Sequence, residues 1–288
     1  MHRLPLSQRN NHQRDLWIFI LEICYFMYHS RQGQFIRRCS ATLYFFKTPM
    51  TELGPVERNP TIGDKVFAQL EHALIIGEFV PGQRLVTRTV AASMNVSPTP
   101  VREALNRLVS SHALQMDDNR VYCVSRLNPQ QLDELYKIRL ALEGMAAEEA
   151  TRRMDDETLA GLHAIHSEMS ECVERKDHRT ALHYNRAFHF SLYEAAHLPM
   201  LYAKIRECWV LIGSHFNLLY PEQGRRRTGL HNHRTILDAV VAKDPQAVRS
   251  ALEFDLRQSL ARLHASLTEM AASAQLHMYP SHTSETLK

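Results

Sequence analysis

The sequence predicts a mainly α-helical protein of two folded parts: three short helices with a β-hairpin, then an all-helical bundle. Apolar residues recur at helical spacing through residues 62–108 and again through residues 129–270. Between these regions, residues 113–125 form two short apolar runs around a turn at 117–119, a pattern typical of a hairpin. A chain of 288 residues is long enough for two domains, each with its own core.

Residues 1–58 read as an N-terminal extension or leader. The aromatic-rich run DLWIFILEICYFMYHS is interrupted by Glu22 and is too short to span a membrane, and no small-residue cleavage site follows it. Three interpretations stay open: a helix docked on the body, a membrane-surface segment, or a stretch translated upstream of the true start. Met50 opens an ordinary polar leader, which makes it a candidate for the natural start.

The first short helix begins at a capping-box pattern formed by Thr61 and Asp64 and ends at Gly77. The segment GEFVPGQRL, residues 77–85, reads as a turn-rich connection. A second helix is predicted over Thr87–Met94, and Asn95 follows at a position where a tight turn needs a left-handed residue.

The third short helix begins abruptly. Ser97 is a good N-cap residue, and Pro98 and Pro100 fall in the first turn, where a missing N–H costs little. Arg102 lies away from the apolar face of this helix. Together with the hairpin, the three helices predict a winged helix-turn-helix over residues 59–126, whose third helix would enter a DNA major groove. An ordinary amphipathic surface helix is the alternative for this element alone.

The segments GEFVPGQRL (77–85) and VSPTPVREALNRL (96–108) resemble those of the GntR family of bacterial transcription regulators. The resemblance implies contacts with double-stranded operator DNA from five side chains: Arg88, Ser97, Thr99, Arg102 and the wing residue Arg120. Arginine forks, hydroxyl groups and a helix N-terminus suit base edges and phosphates. Three positions depart from the family pattern: Pro98 replaces an Arg, and Asp117 and Val121 replace an Arg and a Gly in the wing. We therefore expect a more weakly binding wing.

Residues 128–270 predict a bundle of six amphipathic helices joined by short connections. The expected helices cover about 129–153, 155–176, 178–196, 199–219, 231–242 and 245–270. Residues 221–229 read as a polar, basic loop, and residues 271–288 as a disordered tail.

Three helices place polar residues on their apolar stripes. Asn185 and His189 point inward together at i,i+4, His233 shares a stripe with Ile236 and its apolar neighbours, and Asp255 lies on a buried side. A buried imidazole or carboxylate needs a partner, and a metal ion is one way to supply it. The alternative is chance, because a chain with 17 histidines places several of them on inward stripes.

The bundle resembles the FCD ligand-sensing domain of the FadR-like branch of this family. The resemblance implies a divalent transition metal (Zn, Ni, Mn or Fe) held by Asn185, His189, His233 and Asp255. Asn185 replaces the family Asp and Asp255 replaces a family His, so two histidines and one carboxylate are the expected strong ligands. Arg139 matches a family Arg that faces the effector cavity and suits a carboxylate ligand. Its alternative role is an internal ion pair with Glu143.

The net charge of +3 is too small to indicate nucleic-acid binding by itself. The five cysteines (24, 39, 123, 172 and 208) show no C-x-x-C spacing, so we expect a reducing, cytoplasmic location. These observations predict a homodimeric transcriptional regulator, by family habit a repressor, that senses a small-molecule effector through residues 128–270. It is not expected to be an enzyme or to bind membranes. Two alternatives stay open: a metal-dependent enzyme using the His/Asp cluster, and a sensor that has lost DNA binding.

Overall fold

A computed structural model describes the backbone of residues 60–219 and 226–278, and side chains over 60–219 and 229–270. The helices and strands are α1 (Ile62–Ile75), β1 (Arg84–Leu85), α2 (Thr87–Ser93), α3 (Pro98–Ser110), β2 (Leu114–Met116), β3 (Tyr122–Val124), α4 (Pro129–Arg153), α5 (Asp156–Glu174), α6 (His178–Glu194), α7 (Pro199–Ile212), a 3₁₀ helix (Gly213–Leu219), α8 (Arg226–Val241) and α9 (Pro245–Met278). The predicted fold class, a winged helix-turn-helix followed by an all-helical bundle, is confirmed. The interpretations of residues 1–49 and of Met50 lie outside the described residues.

The winged helix begins as its sequence predicts. The Thr61 hydroxyl accepts the N–H of Asp64 at 3.1 Å, and the Asp64 carboxylate accepts the N–H of Thr61 at 3.0 Å, so the capping box is complete. Asn95 has a φ of 53° in the turn between α2 and α3, the left-handed conformation expected there. The apolar faces of α1 and α3 form the core of this part and include Leu70 and Leu105, both fully buried.

The sheet of the winged helix has three strands in the order β1-β3-β2, all antiparallel. Arg84 lies opposite Cys123, and Leu114 lies opposite Val124. The sequence predicted the hairpin of β2 and β3, but it treated residues 77–85 as a connection only. That prediction was wrong for Arg84 and Leu85, because a two-residue strand is too short to show an alternating pattern.

The second part is a bundle in which α4 packs along α9, α5 packs along α6, and α8 contacts both α5 and α9. Its helix bounds differ from prediction in three places. The helix expected to reach Leu219 becomes 3₁₀ from Gly213, and α8 begins at Arg226, inside the expected loop. α9 continues to Met278, so the first part of the expected disordered tail is helical. No proline follows Pro245 until Pro280, so nothing in the covalent chain ends this helix earlier.

The winged helix contacts the bundle through α1, which packs against α7 and the 3₁₀ helix. Arg206 of α7 pairs with Glu71 of α1 at 2.5 Å. Across residues 60–219 and 226–278, the helices lack the combination of length and apolar character needed to cross a bilayer.

Candidate functional sites

The side chains expected to contact DNA lie on two neighbouring helices and on the wing. Arg88 is on α2, Ser97, Thr99 and Arg102 are at the start of α3, and Arg120 is in the turn between β2 and β3. All five residues are exposed. Within the described part of the chain, their side chains form no hydrogen bond or ion pair with other residues, so they are available to a ligand.

The start of α3 differs from prediction in one respect. Ser97 has the extended backbone of an N-cap residue, but its hydroxyl makes no capping hydrogen bond. The usual donors to such a hydroxyl are the N–H groups at the second and third helical positions, and the third position here is Pro100, which has none. The double-proline start therefore leaves the Ser97 hydroxyl uncommitted beside a helix N-terminus, which favours anions.

Asp117 shapes the wing. Its carboxylate accepts the N–H groups of Asn119 at 3.0 Å and Val121 at 2.8 Å, and it pairs with Arg84 at 2.9 Å. The sequence identified Asp117 only as a departure from the family pattern. In the structure it orders the turn that presents Arg120, whose φ is 56°. The positive charge of Arg84 is partly neutralised in this ion pair.

The bundle brings together three of the polar side chains that the sequence placed on inward stripes. His189 on α6, His233 on α8 and Asp255 on α9 are all buried, and their ligand atoms lie within 4.8 Å of one another. The Nε2 atoms of the two histidines are 3.2 Å apart, and His189 Nε2 is 3.5 Å from Asp255 Oδ2. Bonds of about 2.0–2.2 Å from a central ion would place ligands at such separations. Two imidazoles and one carboxylate therefore fit a divalent transition metal.

The protonation states of this cluster also suit a metal. Burial lowers the pKa of His233 to about 3, so its imidazole is neutral at pH 7. Burial alone would raise the pKa of Asp255, but its interactions with His189 and His233 and the hydrogen bond from Asn232 hold it below its ordinary value. The Asn232 amide donates to Asp255 Oδ1 at 2.9 Å and leaves Oδ2 directed at the histidines.

A chain of buried hydrogen bonds assigns the tautomer of His189. The Tyr193 hydroxyl donates to Glu143, so its oxygen accepts from His189 Nδ1, at 3.1 Å. With the proton on Nδ1, the Nε2 atom of His189 carries a lone pair and faces His233 and Asp255. This second layer of contacts holds His189 in the ligand form. Burial and the charge of Glu143 raise the pKa of Tyr193 well above its ordinary value, so the hydroxyl keeps its proton.

Arg139 ends the same chain of contacts. Its Nε donates to Glu143 at 2.6 Å and its Nη2 at 3.3 Å, so the expected internal ion pair is present. Burial lowers the pKa of Arg139, but the attraction of Glu143 outweighs it and the net shift is upward. The Nη1 atom is buried and has no hydrogen-bond partner among the described residues. One end of the guanidinium is therefore held by Glu143, and the other offers a free donor.

A cavity of about 50 Å³ joins these groups. It is lined by Arg139, Asn185, His189, Trp209, Phe216 and Asp255, among others. Asn185 thus lies on the wall of the cavity that reaches the cluster, in agreement with its inward stripe. Trp209 Nε1 is a second buried donor without a partner among the described side chains. Two residues with unpaired donors, Arg139 and Trp209, line the same cavity as His189 and Asp255, which makes the cavity suited to an anion.

Sequence reasoning missed several members of this site. Tyr193 lies at i+4 from His189, so the stripe through Asn185 and His189 could have identified it. Asn232 and Trp209 carry no comparable signal, because an amide or an indole on a helix is ordinary until its neighbours are known. His215 is another buried histidine, but it lies outside the cluster: its Nε2 accepts the N–H of Leu127 at 3.1 Å.

The fold and the two sites define a winged-helix DNA-binding protein with a helical sensor domain. Residues 62–122 match the bacterial regulatory proteins of the gntR family, and residues 134–258 match the FCD domain. The HTH-type transcriptional regulator McbR of Escherichia coli (strain K12) is 34% identical over 197 residues, which cover 68% of this chain and 89% of McbR. The uncharacterized HTH-type transcriptional regulator YdhC of Bacillus subtilis (strain 168) is 30% identical over 184 residues, covering 64% and 82%. The solved structure of E. coli McbR/YncC has a TM-score of 0.67 and 31% identity, and covers 72% of this chain and 99% of that one.

The chain belongs to the GntR family and is a DNA-binding transcriptional regulator with an FCD ligand-binding domain. The predicted family, fold class and regulatory function are confirmed. Neither McbR nor YdhC is named as an enzyme.

Proposed function

We propose that the chain is a homodimeric repressor whose affinity for its operator is set by a small carboxylate bound to a metal ion in the FCD domain. The observation that carries the proposal is that Arg139, whose Nη1 has no partner among the described residues, lines the same cavity as His189 and Asp255. A carboxylate can bind the metal with one oxygen and accept from arginine with the other. Residues 59–126 would read DNA, and residues 128–270 would sense the effector and form the dimer.

The metal would be held by His189, His233 and Asp255, with Asn185 as a weaker, neutral ligand. Bound metal would act as a Lewis acid that orients the effector carboxylate. Three other residues would support the site: Tyr193 would fix the His189 tautomer, Asn232 would orient Asp255, and Arg139 would bind the effector. The cavity of about 50 Å³ limits the effector to a compact molecule.

The metal is tested by elemental analysis and by thermal unfolding of the full chain with and without added Zn²⁺, Ni²⁺ or Mn²⁺. Binding to the folded state alone should stabilise the protein by about 2.7 kcal/mol at a hundredfold excess over the dissociation constant. We expect His189→Ala to abolish this stabilisation. The matched control is His264→Ala. His264 lies further along α9 and pairs with Asp133 of α4, outside the cluster. No metal near one per chain, with no shift on addition, would mean that hydrogen bonds alone satisfy the cluster.

Effector binding can be followed through Trp209, whose ring lies 5.6 Å from that of His189 and 5.0 Å from the Arg139 guanidinium. The chain has one other tryptophan, Trp17, so a Trp17→Phe background isolates the signal. Titration with a panel of small mono- and dicarboxylates should change this fluorescence only in metal-loaded protein. A response that is unaltered in Arg139→Met would exclude the proposed role of that residue.

The DNA-reading residues are proposed to be Arg88, Ser97, Thr99, Arg102 and Arg120, with Arg102 contributing most. An operator can be selected from random duplexes with the full chain. Arg102→Ala should then weaken operator binding by about 1–3 kcal/mol, the usual cost of losing a bidentate base contact. Arg179→Ala is the matched control, since it removes the same charge from an exposed position on α6. Equal operator affinity of wild type and a folded Arg102→Ala protein would show that a different surface reads DNA.

The dimer is proposed to form through the outer face of α4. Ile138 and Met145 lie seven residues apart on this helix and are 45% and 52% exposed. Two large apolar side chains on one face of a long helix are suited to a partner helix of a second copy. A two-fold dimer would present two reading helices to a palindromic operator.

A further inference from the structure

The 3₁₀ helix Gly213–Leu219 lies between the cavity and the winged helix. On one side, Phe216 and Leu219 line the cavity. The Phe216 ring is 5.4 Å from that of Trp209, and the Arg139 guanidinium lies 5.7 Å from the Phe216 ring centre. This side of the segment is therefore part of the wall that a ligand would touch.

The other side of the segment holds the end of α1. The amide of Asn217 donates to the carbonyl oxygens of Gly77 at 2.8 Å and Phe79 at 3.0 Å. These two carbonyls belong to the turn that leads from α1 toward β1 and α2. In this contact, a side-chain amide of the bundle donates to backbone carbonyl groups of the winged helix, so it joins the two domains at defined atoms.

Two further contacts fix the same segment against the winged helix. A Cβ atom at Gly213 would lie 2.4 Å from the Leu74 carbonyl oxygen and 2.5 Å from that of Ile75, so only glycine permits this approach. His215 accepts the N–H of Leu127, in the linker between the wing and α4. Seven consecutive residues thus contact the cavity, the end of α1 and the interdomain linker.

We propose that this 3₁₀ helix transmits the state of the cavity to the winged helix, with Asn217 as the positioning residue. The inference rests on the proposed function, in which the cavity binds a ligand. Phe216 and Asn217 are adjacent in the chain, so a displacement of Phe216 by a ligand turns the backbone that carries the Asn217 amide. A 3₁₀ helix has poorer hydrogen-bond geometry than an α-helix, so it rearranges at low cost. The turn after α1 would then move, and with it the placement of α2 and its Arg88.

The ion pair between Glu71 and Arg206 is the competing link, because α7 carries both Arg206 and the cavity residue Trp209. This pair is partly exposed, whereas the Asn217 contacts join the 3₁₀ helix directly to backbone atoms. We therefore assign the coupling to Asn217, whereas Glu71 only holds α1 against α7.

The test measures operator affinity of the full chain with and without Zn²⁺. In wild type, coupling between two sites typically changes affinity by about 5- to 150-fold. Asn217→Asp cannot donate to the two carbonyls, so the Zn²⁺ effect should fall below about twofold while Zn²⁺ stoichiometry is unchanged. Glu71→Gln, the matched control, should keep the full effect. An Asn217→Asp protein that keeps the Zn²⁺ effect, or a Glu71→Gln protein that loses it, would overturn the proposal.

A double-mutant cycle decides the matter if Zn²⁺ does not bind, which would reject the metal-dependent function, or if Zn²⁺ binds without altering operator affinity, which would not. Phe216→Ala perturbs the wall without any ligand. It should change operator affinity severalfold in the wild-type background and have no effect in Asn217→Asp. The same double-mutant cycle can be measured by amide hydrogen exchange of residues 73–79, which does not require an operator. No effect of Phe216→Ala in the wild-type background, or an equal effect in both, would show that the 3₁₀ helix does not carry the signal.

Discussion

The buried pair of Arg139 and Glu143 allows stability and sensing to be separated. Glu143 is fully buried and accepts two hydrogen bonds from Arg139 and one from Tyr193. Glu143→Gln keeps the shape of the side chain, but it removes the charge that compensates the guanidinium. Breaking a buried ion pair from one side costs about 3–5 kcal/mol, because the remaining charge is left without a partner. At about 2–4 °C per kcal/mol for a domain of this size, the melting temperature should fall by roughly 6–20 °C.

The double variant Arg139→Met with Glu143→Leu provides the internal comparison. It removes both charges, and the apolar replacement of a buried pair is often neutral or stabilising. Only the Tyr193 hydroxyl loses its acceptor, at a cost of about 1–3 kcal/mol. We therefore expect the double variant to be more stable than the single variant, yet unable to bind the proposed carboxylate effector.

Urea unfolding of the full chain, followed by far-ultraviolet circular dichroism, measures these differences. The matched control is Glu148→Gln on the same helix, because Glu148 pairs with Arg152 at 2.6 Å but lies in water-accessible surroundings. Solvent screens such a pair, so its removal should have a much smaller effect than Glu143→Gln. If Glu143→Gln is as stable as wild type, the pair is hydrated and the buried-charge argument is refuted. If single and double variants are equally unstable, packing and not charge determines the cost.

Two further perturbations test the junction and the dimer. Burial lowers the pKa of His215 to about 4 from its ordinary 6.5, so the stability that its neutral form provides is complete above pH 6.5 and is lost as the pH falls toward 4. His215→Gln keeps an acceptor for the Leu127 N–H but does not titrate. Between pH 7 and pH 4.5, the free energy of unfolding of wild type should therefore fall by about 2–3 kcal/mol more than that of the variant, as measured by chemical unfolding. Parallel pH profiles for the two proteins would rule this out. Met145→Glu should convert the proposed dimer to a monomer in light scattering, whereas Met200→Glu, at an exposed position on α7, should leave it intact. A dimeric Met145→Glu protein would place the interface elsewhere.

The sequence alone was sufficient for the order of the helices, for the capping box that begins α1 and for the faces that the helices bury. The capping box at Thr61, the left-handed turn at Asn95 and the inward stripes of α6, α8 and α9 follow from neighbours within one or two helical turns. Such local contacts are the same whatever the rest of the chain does. The family motifs at 77–85 and 96–108 are local in the same sense, and they were enough to predict a DNA-binding regulator.

Tertiary structure decided which of those faces meet. A stripe shows that His189, His233 and Asp255 point inward, but only the packing of three helices brings their ligand atoms within 4.8 Å of one another. Packing also decided between the two roles of Arg139. Its Nε and Nη2 atoms donate to Glu143, whereas its Nη1 atom has no partner among the described residues. Glycine is required at position 213 because the backbone of α1 lies against it, a contact between residues more than a hundred positions apart. Helical periodicity sets the direction of a side chain about its own axis, whereas distances between helices depend on how all the buried side chains fit together.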